Sequence, residues 1–257
     1  MSWRRSWALT RHELKALADD PGSLVFLLAM PLMMMGLMAP LFGLSLQAEG
    51  YPGANGAEQA VPGMAAMFVT FTGSFAGFTF FREHGWKTWD RLRASQATTS
   101  DVMVGKIVPT LLIAFAQLTA LFVLGVVLFD LVIAGSTFGL TIISVAYALS
   151  VLSFGMAITA LSRTSLQLNT FVNLFAVLFA GLGGALVPLS VLPSWAQSAA
   201  RVVPTYWAME GFLDVILDGA TAVEVFAPTA MLLLFTGIFV IIAATKFRFE
   251  ETKIYVA

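Results

Sequence analysis

The stretch that decides the fold is FREHGWKTWDRLRASQATTSDVMVGK, residues 81–106, which separates two long apolar runs. It holds five of the chain's fourteen Lys and Arg residues, two of the six Trp and one of the two His. A charged and aromatic segment between apolar runs of this length indicates a connection at one surface of a bilayer.

The composition places the chain among membrane proteins. Of its 257 residues, 58% are hydrophobic and 11% are charged, whereas a soluble domain carries about 25% charged residues. A net charge of -1 leaves no basic excess that would favour a nucleic-acid partner. The absence of Cys excludes disulfides, thiolate chemistry and Cys-based metal sites.

Six apolar runs reach the length of about 20 residues that a helix needs to cross a bilayer. We therefore predict an all-α membrane protein with six transmembrane helices, in a single domain over residues 1–257. The predicted spans are roughly 24–46, 61–81, 107–129, 137–161, 168–189 and 225–245.

Two segments outside these spans are also predicted to be helical. Residues 1–20 place Trp3, Trp7 and Leu14 on one helical face and cations largely elsewhere, which is typical of a helix lying in the membrane interface. Between the fifth and sixth spans, Pro193 and Pro204 predict two short helices. The many apolar residues of this connection predict that the two short helices re-enter the outer interface.

The distribution of Lys and Arg predicts the orientation of the chain. Thirteen of the fourteen cations fall on one side of the six-span arrangement, and Arg201 alone falls on the other. We therefore expect both termini and residues 82–106 to be cytoplasmic. The side expected to be outer carries the carboxylates Glu49, Glu58, Asp130, Glu210, Asp214, Asp218 and Glu224.

Several functional classes lack their residues in this sequence. The six predicted spans contain no Asp, Glu, His, Lys or Arg, which argues against proton relays and ion-coupled transport. Neither H-E-x-x-H nor G-x-S-x-G is present, so no catalytic or metal-ligating residue is assigned. A Walker A motif is also missing. If ATP drives this protein, another chain has to bind it.

Residues 86–93 predict about two helical turns with Trp86, Trp89 and Arg93 on one face. Two interpretations stay open on the residues alone. Buried aromatic side chains with Arg are typical anchors in a partner's groove. Trp at the headgroup level with cations beside it is equally typical of an interfacial helix.

The whole chain resembles the ABC-2 family of ABC-transporter membrane subunits. FREHGWKTWDRLRAS…VGKIVPTLLIAFAQ resembles the family's R-E-x-G-T-x-x-R-L-R-x-S-P…G-K-x-x-P stretch with its later Gln. VPLSVLPSWAQSAARVVPTYWAMEG is similar to the P-x-x-x-L-P-x-W…P-x-T-Y run that follows the family's fifth span. The chain departs from the pattern at Trp86, where Gly-Thr is common, and at Gln96, where Pro often follows Ser95.

The resemblance implies a cytoplasmic coupling helix between spans 2 and 3, seated on a separate ABC ATP-binding subunit that holds ATP and Mg²⁺. Residues 1–20 would then be the connecting helix at the same interface. This chain would hold no cofactor, and it would pair with a second, identical or different membrane subunit in the cell membrane. The residues assigned to coupling are Arg82, Glu83, Gly85, Trp86, Trp89, Arg91, Leu92 and Arg93, and the family pattern also matches Ser95, Gly105, Lys106, Pro109 and Gln117.

Two further sets of residues carry alternatives. Gln117, Asn169 and Asn173 either line a translocation path or make hydrogen bonds between helices. Gly73 and Gly77 form a G-x-x-x-G pair, which predicts a close helix contact within the protomer or a dimer seam. The sequence thus favours a non-catalytic exporter subunit for a hydrophobic or amphiphilic drug, antibiotic or lipid-like cargo. An ATP-independent transporter or channel and a membrane scaffold are the alternatives.

Overall fold

The computed structural model describes residues 21–86 and 99–246, together with residues 7, 10, 11 and 15. Most of the predicted connecting helix, and Trp89, Arg91, Leu92 and Arg93 of the predicted coupling helix, lie outside the described residues. The described residues form nine α-helices and no strand element. The helices are α1 Pro21–Ala48, α2 Ala57–Thr72, α3 Phe75–Gly85, α4 Thr99–Phe129, α5 Thr137–Leu161, α6 Ser165–Leu182, α7 Ser194–Ala200, α8 Pro204–Ile216 and α9 Phe226–Lys246.

Six segments are long and apolar enough to cross a membrane, as the sequence predicted. Span 2 is built from two helices, α2 and α3, and each other span is one helix or most of it. The spans are Leu27–Ala48, Ala57–Glu83, Gly105–Phe129, Thr137–Leu161, Ser165–Leu182 and Phe226–Lys246, numbered 1 to 6 below.

The described spans differ from the predicted ones in three respects. Span 5 ends at Leu182 rather than near 189, because Gly184 adopts a positive φ of 84° that stops the helix. Span 2 is interrupted between Thr72 and Phe75. Five charged residues that lie outside the predicted spans fall within the observed ones near their ends: Glu58, Arg82, Glu83, Lys106 and Lys246.

Span 4 is the centre of the bundle and packs against α2, α3, α4, α6, α8 and α9. Its Tyr147 is fully buried, and the Tyr147 hydroxyl lies 3.0 Å from Thr70 Oγ1 and 3.1 Å from Thr205 Oγ1. These contacts join span 4 to span 2 and to α8. Spans 1 and 6 are mostly exposed in the protomer and carry rows of exposed apolar side chains, as expected of helices that face lipid or another subunit.

The G-x-x-x-G pair of span 2 contacts span 4, so the predicted contact within the protomer is confirmed. A Cβ atom on Gly73 would lie 2.5 Å from the Val151 carbonyl oxygen. One on Gly155 would overlap the Gly73 carbonyl, and one on Gly77 would overlap Thr159 Oγ1. The two helices approach this closely because neither carries a side chain at the crossing.

Two short helices, α7 and α8, lie between spans 5 and 6. Pro193 is the N-cap of α7, and Pro204 is the first residue of α8, where its missing N–H costs nothing. Helix α8 ends at Ile216, and Gly219 follows with a φ of 72°. That these helices re-enter the membrane stays a prediction.

The two ends of the bundle differ in charge. We call the end that carries Arg82, Glu83, Trp86, Lys106 and Lys246 the basic end; span 2 ends, span 3 begins and span 6 ends there. The opposite end, which carries Glu49, Asp130, Asp214, Asp218 and Glu224, is the acidic end.

Candidate functional site

The described part of the predicted coupling segment is the end of α3. Trp86 continues the helix by one residue, since its N–H donates to the Arg82 carbonyl over 2.9 Å. The Arg82 guanidinium lies 5.2 Å from the centre of the Trp86 ring, within the range of a cation–π interaction. The Trp86 side chain is 67% exposed. The chain just after span 2 thus presents an aromatic ring with a cation on its face, and the described residues leave most of the ring exposed.

An ion pair joins the two helices that flank the coupling segment. Lys106 Nζ of span 3 donates to Glu83 Oε1 of span 2 over 3.2 Å. The Lys106 side chain is 5% exposed, and its ammonium lies 5.5 Å from the centre of the Phe80 ring. This pair fixes where the chain leaves span 2 and where it enters span 3.

A cavity of about 560 Å³ opens between spans 1, 2 and 5. Its walls are mostly apolar, and Asn169 and Asn173 of span 5 supply most of its polar groups. The amide of Asn173 donates to Asn169 Oδ1 over 2.8 Å, and both side chains are exposed in the protomer. The lining residues are Gly22, Leu27, Phe68, Phe71, Ser74, Phe75, Phe78, Asn169, Val172 and Asn173.

Of the three residues predicted for a translocation path, Gln117 has a different position from the two Asn. Its side chain is 4% exposed and makes interhelical hydrogen bonds. Thr72 Oγ1 donates to Gln117 Oε1 over 2.6 Å, and Gln117 Nε2 donates to the Leu27 carbonyl over 3.0 Å. Gln117 therefore ties span 3 to spans 1 and 2, and one of the residues it bonds, Leu27, lines the cavity.

The aromatic wall of this cavity was not predicted from the sequence. Phe68, Phe71, Phe75 and Phe78 all belong to span 2, and their spacing puts them on one helical face. That stripe was visible in the sequence, but a chain with twenty-two Phe offers many such stripes. Which one lines a cavity depends on how spans 1 and 5 diverge.

A second cavity, of about 320 Å³, lies at the acidic end and is lined by side chains that include Glu49, Tyr51, Glu210, Asp214 and Asp218. Burial raises the pKa of Glu210, and the carboxylate of Asp214 raises it further. Burial also raises the pKa of Asp214, and Asp218 adds to this effect. Among the described residues, no three His, Asp or Glu side chains are arranged to hold a metal ion.

Comparison with known proteins places the chain in a family. A profile of the ABC-2 type transporter family matches residues 4–217. The chain is also 27% identical over 195 residues to the linearmycin resistance permease protein LnrN of Bacillus subtilis (strain 168). That alignment covers 76% of this chain and 50% of the relative, so the chain spans about half the length of the curated relative it matches.

The family match extends over most of the chain and includes the first five spans, the coupling stretch and α8. The fold agrees with it, since six apolar helices make the chain a multi-pass membrane protein. This chain is a permease of the ABC-2 type transporter family.

Proposed function

We propose that this chain is the membrane subunit of an ATP-driven exporter whose ATP-binding subunit docks on the basic end. One observation carries the proposal: α3 lines the large cavity with Phe75 and Phe78, and its end carries Arg82 against the exposed ring of Trp86. A partner that pushes on the end of this helix would act directly on the wall of a path. ATP and Mg²⁺ belong to that partner, and this chain supplies the path and the docking surface.

The test of docking is co-purification of the chain with an ATP-binding subunit from native membranes, followed by an ATPase assay. Trp and Arg side chains at the centre of an interface contribute about 2 kcal/mol or more each. We expect Arg82→Ala with Trp86→Ala to weaken recovery of the ATPase by at least about 30-fold. Trp195→Ala is the matched control, because Trp195 is a 69% exposed Trp at the acidic end.

The outcome also separates the two alternatives. If no ATPase is recovered with the unsubstituted chain and cargo still moves, the protein is an ATP-independent transporter or channel. If no ATPase is recovered and no cargo moves, a membrane scaffold is favoured. Recovery of an ATPase that the double variant leaves unchanged would refute the assignment of this docking surface.

We propose a hydrophobic or amphiphilic cargo, because the described lining of the cavity combines four Phe side chains with two amides and includes no ionisable side chain. The similarity to a protein named as a linearmycin resistance permease favours an antibiotic or drug-like molecule within that class. Asn169→Leu with Asn173→Leu should abolish resistance or efflux while the ATPase still co-purifies. Thr170→Val is the control. Thr170 lies on the same helix, and its hydroxyl donates a hydrogen bond to the Leu166 carbonyl of that helix.

A second membrane subunit is proposed on the face of span 5. Asn169 and Asn173 are exposed there, and amides facing lipid would lack partners beyond each other. Because the chain has no Cys, a cysteine introduced at Leu174, which is 53% exposed on span 5, tests this directly. It should cross-link to a second subunit in native membranes, whereas a cysteine at Ile241, 64% exposed on span 6, should not.

The orientation follows from the charge distribution and has its own test. We propose that the basic end is cytoplasmic, as the excess of Lys and Arg indicates, and that the membrane is the cell membrane. Cysteines introduced at Lys87 and Ser194 should react with an impermeant maleimide from opposite sides. Reaction of both from the same side would contradict the six-span topology.

A further inference from the structure

Span 2 is broken in the middle of the bundle at Gly73 and Ser74. Helix α2 ends at Thr72 and helix α3 begins at Phe75. The Gly73 N–H donates to the Val69 carbonyl, but the Ser74 N–H donates to Phe71, one residue nearer than in an α-helix. The regular pattern resumes where the Phe78 N–H donates to the Ser74 carbonyl over 3.0 Å. A Gly-Ser pair is a known cause of such a break.

The side chain of Ser74 stabilises the break. Its hydroxyl donates to the Phe71 carbonyl over 2.7 Å, so this oxygen beside the interruption accepts a second hydrogen bond in addition to the one from the Ser74 N–H. Ser74 is 2% exposed, so water does not compete for that carbonyl freely. Inside a membrane, freed backbone groups have to find such partners.

The break lies where span 2 crosses span 4. Gly73 meets Gly155 and the Val151 carbonyl with no room for a Cβ atom, so this point of span 2 is fixed against the centre of the bundle. One turn further, Gly77 faces Thr159 without a side chain of its own. At Gly73 and Gly77 span 2 inserts no side chain into span 4. The other contacts of α3 with span 4 in this region are apolar, between Ala76 and Phe80 on one side and Leu152 and Met156 on the other, so tilting breaks no hydrogen bond there.

Helix α3 connects the two parts of the proposed mechanism. Phe75 and Phe78 of α3 line the large cavity, as does Ser74 at the break. Arg82 and Glu83 lie at the other end of the same helix, and Glu83 is paired with Lys106. The remaining aromatic side chains of the wall, Phe68 and Phe71, belong to α2 on the other side of the break.

We propose that Gly73–Ser74 is a hinge within span 2. Helix α3 tilts about the Gly73–Gly155 crossing while α2 stays fixed, so displacement at the basic end changes the separation of Phe75 and Phe78 from Asn169 and Asn173. The role of this motion in transport rests on the proposed function. The hinge itself is a property of span 2 and is measured separately.

The test uses pairs of spin labels on introduced cysteines, for which a chain without Cys is suited. A pair at Thr79 and Leu161 reports on α3 against span 4, and a pair at Met67 and Val145 reports on α2 against the same span. In the complex with its ATP-binding subunit, trapping with ATP and vanadate should move the first distance by about 2 Å or more. The second pair should not move. Equal displacement of both pairs, or of neither, would overturn the hinge while leaving the ATPase assay intact.

A substitution at the hinge gives a second measurement. Ser74→Ala removes the hydroxyl that bonds Phe71 and introduces the best helix former, which favours a continuous helix. We expect a narrower Thr79–Leu161 distance distribution and at least a several-fold loss of transport, with the ATPase still bound. Thr236→Ala is the control, because the Thr236 hydroxyl makes a similar bond to the Leu232 carbonyl in span 6.

The two proposals fail in different ways. If no ATP-binding subunit co-purifies, the proposed function fails, and the labelled chain is measured alone in lipid nanodiscs. A Thr79–Leu161 distribution that is broader than the Met67–Val145 one and narrows with Ser74→Ala supports the hinge there as well. Equal widths, or no response to Ser74→Ala, would contradict it.

Discussion

Tyr51 and Asp218 lie far apart in the sequence, and the Tyr51 hydroxyl donates to the Asp218 carboxylate over 2.8 Å at the acidic end. Nearby, the Ser190 hydroxyl donates to the Glu49 carboxylate. The two hydrogen bonds join the loop after span 1 to the end of α8 and to the short turn Leu189–Val191. The loop therefore holds the elements around the acidic-end cavity together.

Removal of the Tyr51 hydroxyl is predicted to weaken the link between the loop after span 1 and the end of α8. An exposed hydrogen bond contributes about 1 kcal/mol. Tyr51→Phe should therefore raise about fivefold the population of molecules in which the loop has separated from the end of α8. The measurement is the rate at which a cysteine at Leu213, which lines the cavity, reacts with a maleimide. A cysteine at Val223, 81% exposed and away from the cavity, is the control and should react equally fast in both backgrounds. An unchanged reaction rate of the cysteine at Leu213 would show that the Tyr51–Asp218 hydrogen bond does not restrict access to the cavity.

The carboxylates of the same cavity predict a dependence of stability on pH. Glu210 and Asp214 have raised pKa values because they are half-buried and lie close to other carboxylates, while Arg201 and the Tyr206 hydroxyl oppose this for Glu210. A raised carboxyl pKa means that the folded state holds its proton to higher pH than the unfolded state. The free energy of unfolding therefore falls as pH rises from about 4 through the raised pKa values.

We expect Glu210→Gln with Asp214→Asn to flatten this fall. The measurement is the thermal midpoint of the purified protein in lipid between about pH 4.5 and pH 7. Glu224→Gln is the contrasting control, because hydrogen bonds from Thr221 lower the pKa of Glu224. That variant should leave the fall in place. A midpoint in the unsubstituted protein that rises over this range would contradict the prediction.

Most of the fold could be predicted from the sequence because it is set by local composition. Runs of about 20 apolar residues gave the correct number of spans, and Pro193 and Pro204 marked the short helices α7 and α8. The end of span 5 was placed too late, because the residues up to 189 remain apolar after Gly184 has turned the backbone. Hydropathy depends only on residue type and carries no information on the backbone angle φ.

The break in span 2 was not predicted, because a Gly-Ser pair permits an interruption without requiring one, and the contact with span 4 decides it. Gly73 and Ser74 lie within an apolar run without a nearby proline, and the G-x-x-x-G spacing indicates packing rather than interruption. The break forms where Gly155 of span 4 meets Gly73. The same holds for the site: Asn169, Asn173 and Gln117 are all amides in apolar runs, and only the packing shows which of them faces a cavity.

The Lys106–Glu83 pair is predicted to stabilise the basic end. Lys106 is 5% exposed and Glu83 is 19% exposed, so water screens this ion pair only weakly. Glu83→Gln should lower the free energy of unfolding by about 1.5–3 kcal/mol, the range for a hydrogen bond to a charged group. Lys246→Gln, at an exposed cation of the same end, should change it by less than about 0.5 kcal/mol.

A double variant with the two charges exchanged tests whether the attraction between residues 83 and 106, rather than the size of the side chains, stabilises the basic end. Glu83→Lys alone places two cations together and should be more damaging than Glu83→Gln. Combined with Lys106→Glu, the attraction returns, although the contact of the ammonium with Phe80 is lost. We expect partial recovery of the thermal midpoint. A double variant as unstable as Glu83→Lys would show that the pair contributes no attraction.

The hydroxyl of Tyr147 is predicted to couple span 2, span 4 and α8. It donates to the Ala66 carbonyl over 2.9 Å, and it lies within hydrogen-bond distance of the Thr70 and Thr205 hydroxyls. Tyr147→Phe removes all three interactions and leaves the ring in place. Hydrogen bonds between membrane helices contribute roughly 0.6 kcal/mol each and up to about 1.7, so we expect a loss of about 1–2 kcal/mol.

A double-mutant cycle isolates the contact that reaches α8. Tyr147→Phe and Thr205→Val should show a coupling energy of about 0.5 kcal/mol or more, measured by unfolding in detergent or bilayer. Thr229→Val is the control for loss of a buried hydroxyl. The Thr229 Oγ1 atom is buried without a hydrogen-bond partner among the described residues, so its removal should be neutral or stabilising. Strict additivity of the Tyr147 and Thr205 variants would mean that this hydroxyl contact does not help to hold α8, which also packs through apolar side chains such as Phe212 and Val215.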